Sequence, residues 1–213
     1  MKLTIFFLFI STISFAQSVT NIEVAPKGVY KNINFSNDSR VAKLLLDTNI
    51  SDSKVALIDS IEHNANNYTP PVLYVLSRVL FSEKKYNDAA YWFYIAQLRA
   101  RYDTNRCTDK TASPDRYNEI FGPDINKYAF THLDTLEIII QKVVTFVRSN
   151  EEQYDQRWIN LEGLDAMSVS LGNKPSSKKI NVDKSLWPAI KKKTIDSYYN
   201  DFVEYLATYR KKQ

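Results

Sequence analysis

The densest apolar surface of the chain lies in PPVLYVLSRVLFSEKKYNDAAYWFYIAQLRARYDTNRCTD, residues 70–109. Apolar and small residues recur at helical spacing in both halves of this stretch: Leu73, Leu76, Val79 and Leu80, then Ala89, Phe93, Ala96 and Leu98. Pro70 and Pro71 suit the first turn of a helix, because proline fixes its own backbone angle and lacks an amide hydrogen. We therefore expect two helices joined by a tight turn at KKYNDA.

This hairpin resembles one unit of a tetratricopeptide repeat or of its Sel1-like relative. The resemblance is carried by a small residue in the first helix, an aromatic residue before the second, and an Ala–aromatic–Ala series within it: Ser77, Tyr86, Ala89, Phe93 and Ala96. Small residues let antiparallel helices approach closely, and the aromatic ring fills the space beside them. The resemblance covers about residues 70–103, lacks the family's closing proline at Arg101, and has no second copy at a period near ~34 residues. It implies a helical groove that binds a peptide or protein partner.

The N-terminal residues MKLTIFFLFISTISFAQ have the order of a secretory signal peptide. Lys2 precedes an apolar core over residues 3–10, and the small residues Ser14 and Ala16 predict cleavage after Ala16. A transmembrane anchor is the competing interpretation, but the apolar run is shorter than the ~20 residues that span a bilayer. No cysteine follows the cleavage position, so a lipid anchor is not expected. We expect an exported bacterial protein that is periplasmic or extracellular and does not span the membrane.

The remaining chain predicts an all-α fold, either an irregular helical bundle or a repeat-like array of antiparallel helix pairs. We expect an extended leader over residues 17–37 and a single helical domain over residues 38–213. Turn-forming residues predict loops in this domain near residues 104–123 and 165–183. A loop of about twenty residues is uncommon inside a compact domain and is often functional.

Periodic apolar residues predict further helices on both sides of the hairpin. Two short helices precede it, one starting near residue 38 and one after Asp52. A long helix should cover residues 124–150, and a last helix residues 188–210. The run IIIQKVVTFV could form a strand instead, but the helical pattern continues beyond the usual length of a strand. The wide apolar face of the long helix predicts a central position.

Composition argues against several classes of ligand. A net charge of +4 is mild for 213 residues and does not indicate nucleic-acid binding. Lysines cluster at residues 178–179 and 191–193, and such runs are usually solvated faces. A polyanion site is the alternative, but no aromatic residues interleave with the lysines. The four glycines are isolated, whereas loops that bind phosphate need clustered glycines, so we expect no nucleotide.

Cys107 is the single cysteine, so an intramolecular disulfide is not possible. Burial is the default interpretation, since free cysteine is among the most buried residue types. An intermolecular bridge and a reactive nucleophile paired with His132 are the alternatives, although no glycine-flanked nucleophile turn surrounds Cys107. His63 and His132 each lack a second ligand at helical spacing, so we expect no metal and no cofactor. A hydrolytic pair of carboxylates would meet only in space.

The most unusual cluster of charges is QLRARYDTNRCTD, residues 97–109. It uses arginine three times, and the planar guanidinium suits bidentate pairing with carboxylates. The arginines either pair internally with Asp103, Asp109 or Asp115, or Arg99 or Arg106 faces a groove and binds an acidic ligand or partner peptide. The candidate binding residues are Tyr91, Tyr94, Gln97, Arg99, Arg101, Asp103, Arg106 and Asp109.

The sequence thus predicts a non-enzymatic, exported binding or adaptor protein with a helical groove for a peptide or protein partner. One alternative is a periplasmic immunity protein that blocks a secreted toxin. Another is a hydrolase that uses Cys107 or a pair of carboxylates. The pattern leaves the oligomeric state open.

Overall fold

The computed structural model describes residues 26–34, 36–47 and 52–211. This part of the chain contains eight α-helices and no strand, so the predicted all-α fold is confirmed. The α-helices are α1 (Ser36–Leu46), α2 (Asp52–His63), α3 (Pro70–Ser82), α4 (Tyr86–Arg106), α5 (Asp115–Phe130), α6 (Leu133–Ser149), α7 (Leu164–Ser170) and α8 (Trp187–Arg210). Short 3₁₀-helices cover Gly28–Tyr30, Ala65–Asn67, Gln156–Glu162 and Lys184–Leu186. No helix within these described ranges has the length and apolarity needed to cross a bilayer. The predicted signal peptide, residues 1–16, lies outside them.

The central element is α4, because α3, α5, α6 and α8 all pack against it. Its apolar side chains are buried along most of its length: Ala89, Ala90, Trp92, Phe93, Tyr94, Ile95, Ala96, Leu98, Ala100 and Tyr102. Burial on several faces is typical of a core helix rather than a surface helix. Of the charged residues near its C-terminal end, Arg99, Asp103 and Arg106 are buried, whereas Arg101 is exposed.

The predicted hairpin of two helices is confirmed, and the turn between α3 and α4 spans residues 83–85. Lys84 has φ +64°, the left-handed conformation that commonly ends a helix. The Lys85 amide donates to the Leu80 carbonyl at 2.9 Å and the Lys84 amide to the Phe81 carbonyl at 3.0 Å. These two bonds satisfy the last carbonyls of α3, which explains why the chain reverses here.

The prediction of a loop over residues 104–123 is wrong for most of that range, since only residues 107–114 connect α4 to α5. Gly122 lies inside α5, where an added Cβ would lie 3.0 Å from Phe93 Cζ, so glycine here permits close helix packing. Pro123 lies on the exposed side of α5. Water can therefore bind the carbonyl that proline leaves without a helical partner. Tertiary packing overrides the local preference of both residues.

The prediction of a single helix over residues 124–150 is also wrong, because the helix is interrupted between α5 and α6. The Thr131 hydroxyl donates to the Tyr128 carbonyl at 2.7 Å, and His132 Nδ1 lies 2.9 Å from the same oxygen. Such side-chain bonds compete with the helical pattern of backbone bonds. The apolar face predicted for this region is nevertheless buried in α6, at Leu136, Ile139, Ile140, Val143, Val144 and Val147.

Two further predictions need correction near the N-terminal end and near α7. The described part of the predicted leader, residues 26–34 and 36–37, is not extended throughout, because Gly28–Tyr30 form a 3₁₀-helix and α1 begins at Ser36. Tyr30 and Ile33 are also buried in a small apolar cluster with Leu161 and Val169. The loop predicted over residues 165–183 begins only at residue 171, since α7 covers its first part. Burial against the leader explains why these short elements form.

Candidate functional site

Arg99, Asp103 and Arg106 are all buried on the inward side of α4. Their spacing of four and three residues puts them on one helix face. Arg106 Nη2 donates to Asp103 Oδ1, and the side chains of the two residues are 4% and 0% exposed. The interpretation of internal pairing therefore holds for this pair, although Arg106 also lines a cavity, as described below.

Arg99 is fully buried and does not face a groove. Its Nη1 donates to the Ala65 carbonyl at 2.8 Å and its Nη2 to Asn66 Oδ1. The guanidinium carbon lies 5.1 Å from the centroid of the Phe146 ring. No carboxylate of the described residues forms an ion pair with it. Arg99 thus fastens the 3₁₀ turn after α2 to the central helix, as a structural residue.

Tyr94, Gln97 and Arg101 lie on a different side of α4, toward α5 and α8. The Tyr94 hydroxyl donates to α5, and Gln97 accepts from the hydroxyl of Tyr198 in α8 at 2.8 Å. Arg101 forms an exposed ion pair with Asp201 at 3.1 Å. The three residues line a cavity of about 240 Å³, so they are separated from Asp103 and Arg106.

Tyr91 and Asp109 lie away from both groups. The Tyr91 ring packs on Phe146 at 6.2 Å and lines a shallow cavity of about 560 Å³ along α6. Asp109 Oδ2 accepts from the Asp165 amide at 3.1 Å, which fixes the start of α7. An added Cβ at Gly163 would clash with the same Asp109 oxygen, so glycine permits this close approach. The eight candidate residues therefore do not form a single site.

Asp103 is the acceptor at the centre of a buried polar cluster. Its Oδ2 accepts from Trp158 Nε1 at 2.7 Å and from the Tyr154 hydroxyl at 3.1 Å, while Oδ1 accepts from Arg106. Burial raises the pKa of Asp103 to about 6, against the opposing effects of Arg106 and Trp158. The carboxylate thus joins α4 to the segment that follows α6.

We expect the free energy of unfolding to increase as the pH falls from about 7 to about 5. The pKa of Asp103 is about 6 in the folded protein, against 3.8 for an unperturbed aspartate, so between these pH values the folded state binds a proton that the unfolded state lacks. The contribution approaches about 1.4 kcal/mol per pH unit between these two values. Urea unfolding across this range measures it.

Asp103→Asn should flatten this pH dependence. It should not remove it, because the pKa values of Glu162 and His63 are raised as well and act in the same direction. A wild-type stability that falls steadily from about pH 7 to about pH 5 would contradict the role given to Asp103.

Cys107 is not placed to act as a nucleophile. Its side chain is fully buried, and Sγ donates to the Asp103 carbonyl at 3.4 Å. The His132 ring stacks on Tyr128, whose hydroxyl donates to Asn87 near the start of α4. Cys107 follows Asn87 by about twenty residues, or about 30 Å of helix. The Cys107–His132 pair that a cysteine hydrolase would need therefore does not form.

The Cys107 thiol should be unreactive in the folded protein. Burial raises its pKa to about 12, so almost no thiolate is present at about pH 8. A chromogenic disulfide reagent should react with less than about a tenth of the thiol over several minutes. Complete reaction is expected in concentrated guanidinium chloride, which serves as the control. Rapid reaction of the folded protein would show that Cys107 is accessible.

A cavity of about 820 Å³ lies between the C-terminal end of α4 and the N-terminal half of α8. We call it the α4–α8 groove. Its apolar wall consists of Tyr102, Trp187, Pro188 and Ile195. The guanidinium carbon of Arg106 lies 3.9 Å from the centroid of the Tyr102 ring and 4.6 Å from that of Trp187. The groove thus combines aromatic surface with a cation held between two rings.

The groove carries more positive than negative charge. Its cationic residues are Arg106, Arg148, Lys184, Lys191 and Lys192, and its carboxylates are Glu151, Glu152 and Asp196. Lys191 Nζ lies 3.2 Å from Glu152 Oε1 and donates to the Asn150 carbonyl at 2.8 Å. Arg148 and Lys192 share Asp196, at 3.1 and 2.7 Å. Asp103 pairs with Arg106 from outside the groove and reduces this surplus from two cations to one, and the remaining positive charge favours an anionic ligand.

Arg106 lines this groove although most of the residue is buried. The whole residue is only 3% exposed, and its Nε atom is buried without a hydrogen-bond partner. A buried donor left unpaired costs about 1–3 kcal/mol, so the ion pair with Asp103 does not use the full hydrogen-bonding capacity of this guanidinium. The sequence interpretation in which Arg106 faces a groove is therefore compatible with its pairing to Asp103.

Sequence reasoning missed every groove residue except Arg106. The lysines at residues 191–193 read as a solvated face, yet the Lys191 side chain is only 16% exposed. The groove gathers residues from α4, the end of α6 and the start of α8, which are far apart in the sequence. The adjacent carboxylates at 151–152 and the Trp–Pro start of α8 were visible signs, but nothing local related them to Arg106.

Other types of site find little support in the described residues. Across residues 26–34, 36–47 and 52–211, no three His, Cys, Asp or Glu side chains are grouped in a way that could hold a metal ion. No protein-family model matches this chain, and searches of curated proteins and of solved structures give no match either. The α4–α8 groove is therefore the feature on which a functional proposal can rest.

Proposed function

We propose that this chain is an exported, non-enzymatic binding protein whose α4–α8 groove holds an acidic peptide segment of a protein partner. The observation that carries the proposal is the surplus of cations around an aromatic-lined groove of about 820 Å³. Ligand sites commonly enclose about 300–1,000 Å³, so the groove has room for a few residues of a peptide.

The aromatic wall supplies the apolar part of such an interaction. Tyr and Trp are enriched where binding energy concentrates, because they bury a large area with little loss of conformational freedom. The Trp187 ring is held by its Nε1, which donates to the Val182 carbonyl at 3.2 Å, and the backbone carbonyl of Trp187 accepts from the Tyr102 hydroxyl at 3.3 Å. A fixed ring costs little ordering free energy when a ligand packs on it.

Two sequence features support the same proposal without testing it. The predicted signal peptide, residues 1–16, is the basis for export. The likeness of residues 70–103 to a tetratricopeptide hairpin favours a peptide-binding role by analogy, although the groove itself is formed mainly by α4, α6 and α8. The charges and aromatic rings of the groove therefore support the proposal more strongly than the likeness to a tetratricopeptide hairpin does.

Charge reversal at the edge of the groove provides the test. Lys184 is exposed and the Lys192 side chain is 81% exposed, so both can be replaced without disturbing the core. Lys184→Glu with Lys192→Glu should weaken binding of a fluorescent, glutamate-rich decapeptide about tenfold or more at low salt. Fluorescence anisotropy measures the affinity. The matched control is Lys178→Glu with Lys179→Glu, an exposed pair outside the groove.

The control pair should weaken binding clearly less than the groove pair, because Lys178 and Lys179 do not line the groove and their charges act on the peptide only from a greater distance. Equal weakening by both double variants would mean that net charge, and not the groove, attracts the peptide. Absence of binding by the wild-type protein at low salt would refute the proposed function.

A further inference from the structure

Arg106 has a carboxylate of the protein on one side and the α4–α8 groove on the other. Nη2 donates to Asp103, and the same residue lines the groove. The rings of Tyr102 and Trp187 lie within 3.9 and 4.6 Å of the guanidinium carbon and hold it in place. The same guanidinium can therefore serve an internal acid and a ligand acid at once.

We propose that the groove recognises a carboxylate of its ligand through Arg106, and that Asp103 makes this binding stronger at acidic than at neutral pH. The inference rests on the proposed function of the groove as an acid-binding site. A ligand anion next to Arg106 would lie close to the ionised Asp103, and two like charges that share one cation repel each other. Protonation of Asp103 removes this repulsion and leaves the charge of Arg106 to the ligand.

The surroundings of Asp103 make this carboxylate a suitable regulator. It is 0% exposed, so water does not screen the interaction of its charge with Arg106. Trp158 Nε1 and the Tyr154 hydroxyl still donate to Oδ2, so the side chain stays in place when Oδ1 is protonated. Burial raises the pKa of Asp103 to about 6, which lies within the range where binding can be measured.

Other charged and titratable groups line the groove or lie next to the Asp103–Arg106 pair. They are Tyr102 and Cys107 at the end of α4, Arg148 of α6, Glu151, Glu152 and Tyr154 after α6, Lys184 before α8, and Lys191, Lys192 and Asp196 of α8. Burial raises the pKa of Tyr102, Tyr154 and Cys107, so these groups stay neutral near pH 7. Hydrogen bonding from Lys192 lowers the pKa of Asp196, which stays ionised.

The first test uses a fluorescent tetrapeptide of cysteic acid, whose sulfonates remain ionised across the range. A change in its affinity with pH therefore reports on the protein. The dissociation constant should be about fivefold lower at about pH 5.5 than at about pH 7.5, since a pKa change of one unit corresponds to a tenfold limit. His63→Gln is the control, because the exposed His63 also has a raised pKa but does not line the groove. It should leave the pH dependence unchanged.

Asp103→Asn should bind the sulfonate probe with nearly the same affinity at both pH values. A second measurement on the wild-type protein covers the case in which this variant fails to fold. Calorimetric titration at about pH 6.5 in two buffers of different ionisation enthalpy should show uptake of about half a proton per bound probe. If the bound anion raises the pKa of Asp103, the protein must take up protons when the probe binds.

The outcomes separate the inference from the proposed function. Tighter binding at acidic pH together with proton uptake supports the inference. Binding with equal affinity at both pH values and no proton uptake overturns the inference and leaves the groove as an acid-binding site. Failure of the wild-type protein to bind the sulfonate probe and the glutamate-rich decapeptide at either pH overturns both.

Discussion

Replacing Asp103 by alanine is expected to lower the free energy of unfolding by about 3–5 kcal/mol, as measured by urea denaturation at neutral pH. The carboxylate accepts from Arg106, Trp158 and Tyr154, and all three donors are buried. Alanine would leave them without their acceptor and would leave the Arg106 charge without its counter-charge. Removal of one partner of a buried ion pair costs more than the pair itself contributes.

Asp103→Asn and Asp201→Ala are the controls for this prediction. Asparagine keeps an acceptor for Trp158 and should cost less than alanine. Asp201 pairs with Arg101 at the surface, where its side chain is 62% exposed, so its loss should cost less than about 1 kcal/mol. An Asp103→Ala protein within about 1 kcal/mol of the wild type would contradict the central role of this carboxylate.

Replacing Arg99 by methionine is expected to destabilise the protein by about 2–4 kcal/mol without weakening the binding of an acidic peptide. The Ala65 carbonyl and Asn66 Oδ1 would lose their donors. Asn66 also accepts from the Gln153 amide through its carbonyl at 2.8 Å, so the chain after α6 would loosen as well. Chemical denaturation and peptide anisotropy on the same samples separate the two effects.

Arg101→Met is the matched control, because Arg101 lies on the same helix but its side chain is 44% exposed. It should cost less than about 1 kcal/mol. If Arg99→Met were as stable as the wild type but failed to bind the peptide, Arg99 would be a ligand-binding residue, contrary to its buried position.

The elements that the sequence predicted correctly are those whose local pattern and tertiary contacts agree. The turn at residues 83–85 follows a helix that ends with satisfied carbonyls, and the apolar side of α6 repeats with the helical period. The sequence misled where packing opposed local preference. Pro123 is tolerated because it faces solvent, and the break at Thr131 and His132 comes from side-chain bonds to a carbonyl, which periodicity does not reveal.

The candidate site divides in the same way. Helical geometry alone separates Arg99, Asp103 and Arg106 from Gln97 and Arg101, so the sequence contained the information that these residues occupy two faces. The sequence could not decide whether Arg106 pairs with an internal carboxylate or lines a groove, because Arg106 does both. The rest of the groove comes from distant segments and depends on how α6 and α8 pack against α4.

The most direct test of the α4–α8 groove is fluorine NMR of protein labelled with 5-fluorotryptophan, titrated with the glutamate-rich decapeptide. The three tryptophans give separate probes, because Trp187 lines the groove, Trp158 contacts Asp103, and Trp92 donates to Glu62 of α2. Single Trp→Phe variants assign the resonances. Binding in the groove predicts a saturable shift of the Trp187 resonance and no shift of the Trp92 resonance. Peptide binding that leaves the Trp187 resonance unchanged would contradict the account.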